Sequence, residues 1–141
     1  MPPGGPVSPA ISARIIHAAL VLGVLTFWLI AWYIGHSSAV PAEALPDRKV
    51  LYVALALVSA VLFGGAMFTA GRLGPIRSGT SQDEWWRVNL GKAVVIWSLV
   101  EAPSLLGLLA YALTRDFRTL IATFIGLLFF GSYRPSRLIE R

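Results

Sequence analysis

The residues best suited to chemistry are Glu101 and the polar side chains near it. Glu101 is the only charged residue within the apolar run 93–113. Ser98 and Ser104 lie three residues to either side, so a helix would arrange all three in a narrow polar stripe. A carboxylate at hydrocarbon depth costs about 2.5–3.5 kcal/mol. We therefore expect a proton, a buried hydrogen-bond partner or water to offset that cost.

Two roles are open for Glu101. In one, it carries a proton or cation, or donates a hydrogen bond to a cofactor or a partner helix. In the other, it is a neutral acid that locks helices together. The second role is favoured, because His17 is the only other ionisable residue inside a predicted span and lies towards the opposite end of the membrane. We expect His17 itself to be interfacial or bonded to a neighbouring backbone group.

The segment from Ser98 to Ala110 resembles the ion-carrying helix of rotary-ATPase rotor-ring proteolipids. In that family an acid is followed by a small residue and, six positions on, by Gly-Leu. The matching residues here are Glu101, Ala102, Gly107 and Leu108. The resemblance implies that Glu101 carries an ion within an oligomer. The whole chain is also similar to small uncharacterised bacterial four-span membrane proteins that end in an Arg-Pro pair, here Arg134-Pro135, a resemblance that implies no activity.

The sequence contains no recognisable motif for catalysis or metal binding. It has no cysteine, which excludes thiolate chemistry, disulfides and cysteine-ligated metals. A Walker-type loop, an HExxH motif and a carboxylate cluster are all missing, and no serine, histidine and acid lie together at a plausible depth. We therefore predict a protein that is not an enzyme and has no metal site. The residues identify no cofactor.

The composition indicates a membrane protein. Of the 141 residues, 56% are hydrophobic and 13% are charged, whereas charged residues make up about a quarter of an ordinary soluble domain. The net charge of +5 comes from basic residues scattered around the ends of apolar runs, a pattern that suits lipid head groups. Membrane lipids are thus expected partners, and nucleic acid is not.

Four apolar runs are expected to cross the bilayer, since about 20 residues at 1.5 Å rise span roughly 30 Å of hydrocarbon. The predicted spans are residues 15–34, 50–70, 93–113 and 117–133. Residues 1–10 hold four prolines and two glycines and are predicted to form an extended tail, and residues 11–141 a single transmembrane domain. The predicted fold is all-α, an integral membrane protein built as an up-down bundle of four transmembrane helices.

Small residues and tryptophans indicate how these spans are positioned. Ala56, Ala60 and Gly64 recur every four residues, with Gly65 beside them, which lets helices approach closely within the chain or with another protein. Tryptophan is typical of membrane interfaces. The predicted interface anchors are Trp28 and Trp32 on the outer side, and Trp85 and Trp86 on the inner side. Ser81 and Glu84 form a capping-box pattern, which predicts a helix start there.

Basic residues predict the orientation of the chain. The side with both termini and the middle connection carries eight Lys and Arg residues, against four on the other side. The positive-inside rule then predicts cytoplasmic termini, in the bacterial inner (cytoplasmic) membrane. The expected function is a non-enzymatic accessory or structural subunit of a larger respiratory or photosynthetic type of membrane complex, with other membrane-protein subunits as partners. The alternative is a proton- or ion-coupled membrane protein that uses Glu101 within an oligomer.

Overall fold

The described part of the chain folds into four apolar helices and one short helix after them. The computed structural model describes residues 7–37 and 47–140, and those ranges contain no strand. The helices are α1 (Pro9–Ser37), α2 (Arg48–Gly71), α3 (Gln82–Thr114), α4 (Leu120–Ser132) and α5 (Pro135–Ile139), with a 3₁₀ turn at Phe117–Thr119. The predicted all-α class is therefore confirmed. Helices α1, α2 and α3 are each long and apolar enough to cross a membrane, and the apolar α4 is shorter.

Local capping groups set the ends of the long helices. The expected capping residue of α3 is confirmed, since the Ser81 hydroxyl accepts from the backbone N–H of Glu84 at 3.2 Å. Asp47 caps α2 by accepting from the N–H of Lys49 at 2.8 Å. Helix α3 ends where Arg115 takes a left-handed conformation, with φ 57°, a common way to stop a helix. The connection between α2 and α3, residues 72–81, lies between two predicted spans, and α3 ends one residue after the predicted span 93–113.

Helix α1 begins earlier than predicted. Residues 1–10 were expected to be an extended tail, but Pro9 and Ala10 belong to α1, so the prediction is wrong for these two; the first six residues lie outside the described ranges. Proline suits a first helical position, because that position needs no backbone N–H. In addition, the Asp83 carboxylate accepts from the Ser8 hydroxyl and, at 3.2 Å, from the N–H of Ala10. A residue of α3 therefore caps the start of α1.

Asp83→Ala is expected to lower the free energy of unfolding by about 0.5–2 kcal/mol, the usual cost of losing a helix cap. The substitution leaves two donors at the start of α1 without their acceptor. Unfolding in mild detergent, followed by circular dichroism, measures the change. Glu84→Ala is the matched control, because Glu84 is an exposed acid in the same turn of α3. Equal losses in both variants would show that only the acidic charge at the start of α3 matters.

Helix α3 is the centre of the bundle. It packs against α1, α2 and α4, whereas α1 and α2 barely touch each other. Fifteen residues of α3 are buried, against four each on α1 and α2. Most of the apolar surface of α1 and α2 therefore faces outward.

The short helix α4 depends on other helices for the hydrogen bonds at its end. The carbonyl groups in the last turn of a helix have no backbone donors within that helix. The Trp97 indole N–H of α3 donates to the carbonyl oxygen of Tyr133 at 2.8 Å. Nε2 of His17 on α1 lies 3.1 Å from the carbonyl oxygen of Phe130 and is the donor, since a carbonyl only accepts. Leu138 of α5 is buried beside this end.

Candidate functional site

One face of the central helix is not covered by its neighbours. Val95, Ser98, Leu106, Leu109 and Leu113 are exposed and fall on one side of α3 at helical spacing. We call these five residues the open face of α3. Because α1 and α2 pack on α3 without closing on each other, this face lies between them.

Glu101 lies at the edge of the open face, where α3 meets α1. A Cβ atom placed on Gly23 would stand 3.5 Å from Oε1 of Glu101. The carboxyl group therefore lies next to α1 at Gly23, where a methyl group would be in ordinary van der Waals contact with it. The Glu101 side chain is partly exposed, and no described residue forms a hydrogen bond or ion pair with it. The group is thus accessible from the side of the bundle.

The structure separates the three residues of the predicted polar stripe. Ser98 is exposed on the open face, Glu101 borders Gly23, and Ser104 is buried. The Ser104 hydroxyl donates to the carbonyl oxygen of Val100 at 2.8 Å. Each step of three residues turns a helix about 60° short of a full circle. Two such steps carry the stripe from the outside of α3 to its contact with α4.

His17 lies among aromatic rings, and its described contacts do not include Glu101. Its ring meets the rings of Trp97 and Phe130 edge-on, with centroid distances of 5.1 and 5.7 Å. Its hydrogen bond goes to the backbone of α4. No hydrogen bond or ion pair joins His17 to Glu101 within the described ranges. His17 therefore stabilises the end of α4 by donating a hydrogen bond to its backbone.

The small residues predicted to pack helices lie in different surroundings. Gly65 faces α3, because a Cβ atom there would stand 3.5 Å from Leu99. Gly64 has no such neighbour within 4 Å. Ala56 and Ala60 are exposed and line a groove between α2 and α4. Of the two glycines in this group, Gly65 is the one that lies close to a neighbouring helix.

The four predicted anchor tryptophans also differ in their surroundings. Trp85 and Trp86 are buried, and the indole N–H of Trp85 donates to the carbonyl oxygen of Gly74 at 2.9 Å. These two side chains therefore hold the α2–α3 connection and the adjoining end of the bundle together. Trp28 is half-buried against α4. Trp32 is the most exposed of the four, at 45%.

A polar cluster that the sequence did not reveal lies where α3 ends. Asp116 accepts from the hydroxyl of Tyr52 on α2, and from the backbone N–H of Arg118 at 2.9 Å. These two bonds, that of Tyr52 foremost, hold the pKa of Asp116 below its usual value, and the positive charges of Arg118 and Arg48 add to the effect. Tyr52 is 64 positions from Asp116, so no local sequence motif predicts that the two side chains pair.

Stability is expected to fall in acid as Asp116 becomes protonated. Its pKa is lower in the folded chain than the value of about 3.9 in an unfolded one. The carboxylate therefore stabilises the fold above about pH 4 and loses that contribution as the pH falls through the folded-state pKa. Thermal unfolding between neutral and strongly acidic pH measures the effect.

Tyr52→Phe should weaken this acid dependence, because it removes the principal donor to Asp116. Tyr33→Phe, which changes an exposed tyrosine of α1, is the control. If the thermal stability of Tyr52→Phe fell in acid as much as that of the unsubstituted chain, the hydrogen bond from Tyr52 would not be the main cause of the lowered pKa of Asp116.

The groove between α2 and α4 has a volume of about 460 Å³. Its α2 side runs from Tyr52 to Phe63, and Arg118 lines the end next to Tyr52. Ser59 lies midway, is only 7% exposed, and its buried hydroxyl has no hydrogen-bond partner in the described part of the chain. The rest of the lining is almost entirely apolar.

Comparison of the chain with protein-family models, with curated proteins and with solved structures finds no match. Among the described residues there is also no group of three or more His, Asp or Glu side chains that could hold a metal ion.

Proposed function

We propose that this chain is a multi-pass membrane protein that acts as a non-enzymatic accessory subunit of a larger membrane complex of respiratory or photosynthetic type. It resides in the bacterial inner membrane with both termini in the cytoplasm. The observation that carries the proposal is the carboxyl group of Glu101, which lies at the edge of the open face without a partner among the described residues.

Membrane residence is supported by the outward surfaces of α1 and α2. Large apolar side chains on these helices are more than half exposed, among them Leu22, Leu29, Val53, Val61 and Phe68. Soluble monomers rarely expose contiguous apolar patches larger than a few hundred Å². Hydrocarbon is the solvent in which such a surface is stable.

The role as a subunit is supported by the cost of leaving Glu101 unpaired. On an otherwise apolar helix surface in a bilayer, the carboxyl group costs about 2.5–3.5 kcal/mol. A donor from another helix offsets that cost. The apolar residues of the open face can pack against a partner helix, and Glu101 at its edge is partly exposed and accessible to a donor. The partner is thus an apolar transmembrane helix with a hydrogen-bond donor or a cation at the depth of Glu101.

Photocrosslinking from single cysteines tests this proposal, since the chain has no cysteine of its own. A benzophenone maleimide attached at Ser98→Cys or Leu109→Cys on the open face should form adducts with another polypeptide in native membranes. The control is Val61→Cys, an exposed position on α2, which should form far fewer. Extraction of the chain as a monomer or homo-oligomer, with no heteromeric adduct from either position, would sink the proposal.

Substitutions of Glu101 test its part in the contact. In the Leu109→Cys background, Glu101→Ala should lower the yield of adduct roughly 3- to 30-fold, the equivalent of about 0.6–2 kcal/mol for an interhelical hydrogen bond. Glu101→Gln keeps a polar group that can pair and should lose less. Equal adduct yields in all three chains would contradict a role for Glu101 in holding the partner.

A second candidate is a proton- or ion-coupled protein in which Glu101 binds and releases the ion within an oligomer. This second function is also supported by the accessibility of Glu101 from the side of the bundle, which an exchanging ion requires. Carbodiimide should then label Glu101 in a pH-dependent manner, and complete inertness in the native membrane would contradict this function. Glu101→Gln separates the two candidates, because it retains the complex under the first and abolishes ion coupling under the second.

A further inference from the structure

We infer that the groove between α2 and α4 binds one anionic phospholipid, with an acyl chain along the groove and the phosphate at Arg118. This inference goes beyond the proposed function and rests only on its membrane residence. The groove lies between α2 and α4, and the open face of α3 is a separate surface between α1 and α2.

The dimensions of the groove match one acyl chain. Its volume of about 460 Å³ lies within the roughly 300–1,000 Å³ usual for ligand sites. From Tyr52 to Phe63 it follows twelve residues of α2, whose eleven steps cover about 16 Å at helical rise. That length is close to half of a hydrocarbon core about 30 Å thick, which is the part belonging to one leaflet.

The charge at the mouth of the groove is suited to a phosphate. Arg118 lines the mouth, and Arg48 also lies close enough to Asp116 to act on it electrostatically. Both positive charges act on the single carboxylate of Asp116, so positive charge is in excess at this end of the groove. No described acid forms an ion pair with Arg118. An anionic head group is therefore favoured over a zwitterionic one.

Ser59 lies in the wall of the groove about 10 Å from Tyr52, seven residues along α2 at helical rise. Its side chain is more than nine-tenths buried, and its hydroxyl is enclosed and has no described hydrogen-bond partner. The groove at this depth therefore presents an apolar surface, which suits an acyl chain. Ala56 and Ala60 leave the width that the acyl chain requires.

Lipid retention by the purified full-length chain tests the inference. The chain is reconstituted into vesicles of phosphatidylcholine with a minor fraction of phosphatidylglycerol, re-extracted in mild detergent, and its retained lipid is measured by mass spectrometry. We expect one phosphatidylglycerol per chain, enriched over phosphatidylcholine. Arg118→Gln should lower this enrichment about fivefold, the effect of removing one basic residue from an anionic lipid surface. Arg77→Gln removes the same charge from the connection at the opposite end of α2 and should have little effect.

Two further pairs of chains test the groove itself. Ala56→Leu fills it and should abolish retention, whereas Ala54→Leu places the same side chain on an exposed position of α2 that does not line the groove. Ser59→Ala is a further control and should leave retention and helical signal unchanged, because its hydroxyl is enclosed and has no described partner to lose.

Three results would overturn the inference. They are full retention in Ala56→Leu, equal retention of phosphatidylcholine, and a lipid-free homodimer that Ala56→Leu disrupts, which would assign the groove to a second copy. Flotation with the vesicles is recorded in every case. A chain that does not float contradicts membrane residence itself, whereas one that floats without enriching phosphatidylglycerol contradicts the lipid site alone.

Discussion

Trp97→Ala is expected to destabilise the folded chain by about 3–5 kcal/mol, the usual cost of truncating a buried tryptophan. Trp97 is 0% exposed and lies against the rings of His17 and Trp86. Its indole N–H also supplies a hydrogen bond to the Tyr133 carbonyl at the end of α4. The alanine variant therefore loses packing in the core and leaves a buried acceptor without its donor.

Two companion variants identify the origin of that loss. Trp97→Phe retains most of the apolar contact but not the donor, so it should cost about 1–3 kcal/mol. Trp32→Ala truncates a tryptophan that is 45% exposed and should cost much less than Trp97→Ala. Unfolding in mild detergent, followed by circular dichroism, compares all three. If Trp97→Ala lost no more free energy of unfolding than Trp32→Ala, Trp97 would not be a main contributor to the stability of the core.

Gly107→Ala is expected to destabilise the contact between α3 and α4 by about 1–3 kcal/mol through overpacking. A Cβ atom at this position would stand 2.7 Å from the backbone oxygen of Thr119 and 2.8 Å from Oγ1 of Thr123. The side chain of Thr123 is already held by its hydrogen bond to the carbonyl oxygen of Ser104, at 2.8 Å. The backbone of α4 must therefore shift to admit one methyl group.

Gly91→Ala is the matched control for Gly107→Ala. It lies on the same helix, and a Cβ atom there meets nothing within 4 Å. Alanine is favoured over glycine in a helix by about 1 kcal/mol, so this variant should be neutral or more stable. The same unfolding measurement applies, and a destabilisation shared by both variants would show that the close approach of α4 is not the cause.

The helices were predictable from the sequence because their signals are local. An uncharged run such as 50–70, and a capping pattern such as Ser81 with Glu84, require no knowledge of the rest of the chain. The early start of α1 was not predictable in this way. It depends on Asp83, which is 75 positions from Ser8, and a proline-rich segment by itself predicts an extended tail.

The candidate site was predictable in part. The position of Glu101 within an apolar run identified it as a costly residue, but composition does not reveal which side of α3 faces the neighbouring helices. This orientation of α3 buries Ser104, exposes Ser98 and places Glu101 beside Gly23. For the same reason Trp85 and Trp86, which are equally consistent with an interface or with a core, are found in the core. The pairing of Tyr52 with Asp116 has no local signal at all.

The dependence of α4 on His17 and Trp97 has a consequence for biogenesis in a membrane. With 13 residues, α4 is shorter than the roughly 20 that cross a bilayer independently, and the carbonyl oxygens of Phe130 and Tyr133 at its end receive donors from α1 and α3, which are synthesised before it. In the proposed membrane-resident protein, α4 alone is therefore expected to partition weakly into lipid. Its insertion should follow the docking of the three earlier helices, as a step of tertiary folding.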